Sequence, residues 1–177
     1  MRRIVVHLGV VGAALVLTAC APTLNWRQVY VGADGVQAYL PCKPERATRE
    51  VAVQPPPAPV QTLHLLACEA GGARFAVAWM ALAAGQDGAQ WARHWRRASA
   101  LTLGLTPEAL QAQVWTVRHA RFSQRWQGRG QSQGAALPVR WGWAASKGQL
   151  IQLAVYGQVS DAAVETFWQG LSLPAER

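Results

Sequence analysis

One five-residue run, Gly130-Gln131-Ser132-Gln133-Gly134, has the G-x-S-x-G form of a nucleophile elbow. That motif works where a buried strand leads into the serine, a helix leaves it, and an acid and then a histidine follow in the chain. No histidine lies beyond His119, so nothing downstream could take the serine's proton. The flanks Gln127-Gly128-Arg129 and Ala135 are turn-like, and the segment is expected to be a connection between strands. Gly128, Gly130 and Gly134 also miss the spacing of a dinucleotide loop. His64, His94 and His119 stand alone, without the i, i+4 spacing that sets two ligands on one helix face. Among the carboxylates only two pairs lie close in sequence. Glu45 and Glu50 fall in an expected loop, and Asp161 and Glu165 on an expected helix surface, so neither is a ready acid/base pair. The sequence therefore gives no reason to expect a catalytic residue, a metal site or a cofactor.

The three cysteines divide by context. Met1-Arg2-Arg3 is a basic start, and residues 4–17 are apolar apart from His7, which is the pattern of a secretion signal. Leu17-Thr18-Ala19-Cys20 closes that stretch and resembles the lipobox of bacterial lipoproteins, a Leu and two small residues ahead of a Cys. The resemblance implies that residues 1–19 are a cleaved leader and that Cys20 is the mature first residue. It would carry a diacylglyceryl thioether and an acylated amino group, and the domain would be anchored in the cell envelope facing the periplasm. Ala21 in place of Asp implies the outer membrane, as it does in enterobacterial lipoproteins. Cys42 and Cys68 remain, an even pair in an oxidising compartment, and a disulfide between them is expected. Closing that loop stabilises by roughly 3–4 kcal/mol in the chain-entropy model.

The chain has 177 residues, 51% apolar and 15% charged, which suits one folded domain and argues against disorder. It holds no run of ~18 apolar residues that would read as a spanning helix. Basic residues outnumber acidic ones 17 to 9, and without the leader's two arginines the formal charge is +6. Residues 109–160 contain no acid, while Arg118, Arg121, Arg125, Arg129, Arg140 and Lys147 fall among them. An exported location argues against nucleic acid as the partner. Arg118, Arg121, Arg125 and Arg129 are instead expected to form a binding surface for anionic headgroups or an envelope protein. A tether of residues 21–25 would span roughly 20 Å when extended and hold the domain of residues 26–177 near the lipid.

Three turn signals organise the sheet that must carry these residues. Ala33-Asp34-Gly35 joins expected strands at 26–32 and 36–40, and Lys147-Gly148 joins 136–145 to 149–157. Gly71-Gly72 sets Glu69 opposite Arg74, Cys68 opposite Phe75 and Leu66 opposite Val77, with opposite charges facing. Further strands are expected at 50–54 and at 113–121, and Pro55-Pro56-Pro57 begins a stiff connector. Residues 88–103 change to helical period, with Trp91, Trp95 and Ala98 on one stripe, Arg93, Arg96 and Arg97 off it, and Gly104 as the stop. Thr106-Pro107-Glu108 starts a short extra turn. A closing helix follows Ser160 as N-cap, with Asp161 in its first turn and Val164, Phe167, Trp168 and Leu171 on its apolar face.

This order predicts an α+β domain, mainly antiparallel sheet with two main helices. The late hairpin and the helix ending Phe167-Trp168-Gln169-Gly170-Leu171-Ser172-Leu173 resemble the end of PsbP-like domains, which implies an α/β/α sandwich and an accessory role. The expected function is a non-catalytic accessory or interaction module anchored to the membrane. The alternative is a small-ligand or glycan binder, in which Trp91 with Trp95 and Trp141 with Trp143 would form exposed platforms rather than core.

Overall fold

The computed structural model of the chain describes residues 23–32, 35–53, 60–146 and 148–175. β1 (Arg27–Val31) and β2 (Val36–Leu40) form a separate two-stranded sheet. β3 (Glu45–Val51), β4 (Gln61–Ala70) and β5 (Ala73–Ala81) precede α1 (Gly88–Thr102) and a 3-10 turn at Pro107–Ala109. β6 (Gln111–Gln113), β7 (Phe122–Ser132), β8 (Ala135–Ser146), β9 (Gln149–Gly157) and α2 (Asp161–Gln169) complete the chain. The second sheet has seven strands in the order β3-β4-β5-β9-β8-β7-β6, all antiparallel, so the domain is α+β.

Turn chemistry sets the registers. Gly71 and Gly72 both take positive φ, which glycine adopts without a Cβ clash, and Glu69 pairs with Arg74, Cys68 with Phe75 and Leu66 with Val77 as expected. β8 and β9 pair from Ser146–Gln149 onward. Alternation then divides the core, because successive side chains of a strand point to opposite faces. On β9, Leu150 and Ala154 meet Trp91, Ala92 and Trp95 of α1, together with Met80, Trp141 and Trp143 of the sheet. Ile151, Leu153 and Val155 meet the other layer, which is Phe167 and Trp168 of α2 with Val31, Val36, Ala38 and Leu40 of the hairpin. Both faces of the central strand are covered, so β9 reads as an almost unbroken apolar run.

Both helices begin on the caps that their sequences provide. Asp87 accepts from the Ala89 amide at α1, and Ser160 accepts from the Ala163 amide at α2. Cys42 and Cys68 are joined in a disulfide that ties the segment after β2 to β4.

Several expectations need correction. The strand expected at 113–121 is only β6, Gln111–Gln113; residues 114–121 run irregularly, with Ser123 Oγ donating to the Trp115 carbonyl and accepting from the Val117 amide. The ladder is carried by Phe122–Ser132, so the supposed turn-like flanks 127–129 are strand, and four strands rather than three separate the helices. Glycine was the misleading signal. A Cβ on Gly130 would lie 3.0 Å from Leu103 Cβ, and one on Gly128 2.8 Å from Leu110 Cδ2. These glycines let the segment after α1 cross β7 closely. Glu45 and Glu50 lie on an edge strand rather than in a loop, since β3 starts earlier than the expected 50–54. Arg96, expected off the Trp91 and Trp95 stripe, covers Trp126, its guanidinium 4.5 Å from the ring centroid. Cys20 and the leader, Asp34, Pro55-Pro56-Pro57 and Lys147 lie outside the described residues.

Candidate functional site

On the α2 side of the sheet a groove runs between α2 and strands β6 to β8. Arg125 and Gln127 of β7 and Arg140 of β8 point to this face, since Arg125 sits opposite Gly142 and Gln127 opposite Arg140. Asp161 and Glu165 stand four residues apart on α2, the spacing that aligns two side chains on one helix face. Arg125 Nη1 donates to Glu165 Oε2 at 3.1 Å, and Arg140 Nη2 to Asp161 Oδ1 at 3.4 Å. The cations are deep and the anions shallow: the arginine side chains are 23% and 19% exposed, against 50% for Glu165 and 96% for Asp161. Pairs with one partner in water contribute about 0.2–1 kcal/mol each. Arg125 Nε and Arg140 Nη1 are buried without a hydrogen-bond partner among the described residues, so the floor of the groove holds more donors than its carboxylates satisfy.

Gly142 shapes the wall. A Cβ there would lie 2.8 Å from Trp115 and 2.9 Å from Trp168, whose rings pack 5.4 Å apart in the space above it. The cleft among Gln113, Arg125, Gln127, Arg140 and Asp161 has a volume of about 230 Å³. It continues past Trp168 into a space of about 410 Å³ beside Trp115, Arg118 and Leu171. Donors and acceptors thus line one concave surface, with the half-buried Trp115 beside them and Trp168 buried beneath.

The four arginines expected to act together are spread out. Arg125 lies in the groove and Arg118 is exposed at its mouth. Arg121, whose amide donates to the Ala145 carbonyl at 2.9 Å, lines a separate hollow at the start of α1. Arg129 is exposed further along β7, opposite Pro138. Arg140, Asp161, Glu165, Trp115 and Trp168 were not expected as a site. The i, i+4 acids of α2 were a usable signal, but the arginine parity becomes visible only once β7 is recognised as a strand.

Ser132 ends β7, and Gln133 and Gly134, both at positive φ, make the turn into β8; a strand, not a helix, follows the serine. Trp91, Trp95, Trp141 and Trp143 are all buried beneath α1, where Trp143 packs edge-on against Trp95, Trp126 and Trp141. His64 stacks on Trp79 at 5.2 Å with its Nδ1 3.3 Å from Thr48 Oγ1. Burial, with Arg93 nearby, lowers the Arg96 pKa from its ordinary value. No family model, curated protein or solved structure matches the chain.

Proposed function

We propose that the chain is a cell-envelope lipoprotein, anchored through lipid on Cys20, facing the periplasm from the outer membrane and acting as a non-catalytic accessory or interaction module. The observation that carries this reading is the Cys42–Cys68 disulfide. It consumes two of the three cysteines and leaves Cys20, at the end of an apolar leader, for the lipid. Disulfides persist in exported proteins and are rare in reducing compartments. Burial of the four tryptophans supports a scaffold over an indole platform. A PsbP-like α/β/α sandwich is the finer fold reading, supported by α1 on one face of the sheet and α2 on the other.

The partner surface in this reading is the groove of Arg125, Arg140 and Trp168. Its mixed donors and acceptors also support the second reading, a small polyhydroxylated ligand or glycan held at the same place. A photocrosslinking residue incorporated at Gln127 of the full-length protein in cells separates the two. A discrete protein adduct supports the interaction module. Absence of any protein adduct, with crosslinking to saccharide, contradicts it in favour of the ligand reading.

A further inference from the structure

The first described residues fix where an anchor must emerge. Leu24 is packed against the core, and a Cβ on Gly71 would meet Leu24 Cδ2 at 3.3 Å, Val159 Cγ2 at 3.4 Å and Thr23 Cγ2 at 3.9 Å. The Asn25 amide donates to the Pro41 carbonyl at 2.7 Å. Residues 23–25 are therefore part of the body rather than free tether. Only Ala21 and Pro22 separate Thr23 from Cys20, three chain steps with a reach of about 10 Å, half of what a fully extended 21–25 would give.

The sheet has two distinct ends. Arg74, Tyr156, Val139 and Gly128 form one row across β5, β9, β8 and β7, beside the Gly71-Gly72 turn. Met80, Leu150, Ala145 and Phe122 form another row six residues away, roughly 20 Å at the rise of a strand. Beyond the first row project the β7–β8 hairpin tip at Ser132, the exposed Arg129, and the last turn of α1, where Leu101 is 65% exposed and the Leu103 carbonyl accepts from the Gln131 amide. Beyond the second row lie Arg121 and Arg118.

We infer that the end of the sheet carrying the Gly71-Gly72 turn, the Ser132 hairpin tip and Leu101 is the surface apposed to lipid headgroups, while Arg118 faces away from the membrane. The inference rests on the anchor reading of Cys20. The short reach from Thr23 sets this orientation. Charge does not, because Glu69 stands opposite Arg74 at the same end. The exposed Arg118 of the far end is then turned toward the periplasm.

The test uses the lipidated full-length protein in vesicles whose headgroups carry a nitroxide quencher, with a fluorescent residue incorporated at Ser132 in one sample and at Arg118 in another. Both positions are exposed, so neither label disturbs the core. Several-fold stronger quenching at Ser132 than at Arg118 is expected. Equal quenching, or stronger quenching at Arg118, in protein that floats with the vesicles overturns the orientation alone. Failure to float with the vesicles overturns the anchor reading and the orientation with it.

Discussion

Tyr156 sits where a phenol is held neutral. Its ring lies 6.3 Å from that of Trp141 on the α1 side of the sheet, and burial raises its pKa above the ordinary value, with Arg74 opposing the rise. A folded-state pKa above the unfolded one means that the neutral form contributes stability fully below the unfolded value of ~10 and loses it as pH climbs through the raised value. Stability should therefore fall steeply in alkali. In Tyr156→Phe the alkaline limb of urea midpoints against pH should be shallower than in the wild type; identical limbs would contradict this. Residues of this kind are only partly legible in a sequence. Trp141 and Trp143 could be placed on one strand face because alternation is strict, but the packing of Arg96 on Trp126 joins a helix to a strand that glycines concealed. Gly142 gave no sign of its role, since its two neighbours, Trp115 and Trp168, come from distant segments.

At the scale of elements, local chemistry predicted what local chemistry decides. The hairpins at Gly71-Gly72 and Lys147-Gly148, the Ser160 cap and the Val164, Phe167 and Trp168 stripe of α2 each rest on contacts within about ten residues in sequence and formed as expected where the structure describes them, although α2 stops at Gln169 and Leu171 joins the core from beyond its end. β6 and β7 did not. Their residues are polar and glycine-rich, and what makes them strands is pairing with β8 and the crossing of the 103–110 segment, both tertiary. The disulfide links such elements, holding the segment that follows the β1–β2 hairpin against β4. Replacing both cysteines, Cys42→Ser with Cys68→Ser, should lower unfolding stability by roughly 3–4 kcal/mol in the chain-entropy account. Urea denaturation of the oxidised wild type against the double variant measures it. Equal midpoints would show that the bridge constrains little.

For the whole molecule, the layers were foreseeable and the site was not. A chain with two amphipathic helices and paired turn signals has few ways to cover both faces of one sheet. The groove needs Arg125 from β7, Arg140 from β8 and the acids of α2, brought together from across the last third of the chain. The acid-free run of residues 109–160 suggested a continuous basic face. Folding distributes those arginines along the sheet and pairs two of them with carboxylates that lie just beyond the run. The central claim remains one about location: an exported domain, lipid on Cys20, disulfide between Cys42 and Cys68. It is tested most directly by intact mass spectrometry of the protein extracted from envelope membranes and alkylated without reduction. The account predicts a chain beginning at Cys20, bearing a diacylglyceryl group and an amide-linked acyl chain, with no alkylation at Cys42 or Cys68. A chain carrying unmodified Cys20, or one alkylated at both of the other cysteines, would contradict it.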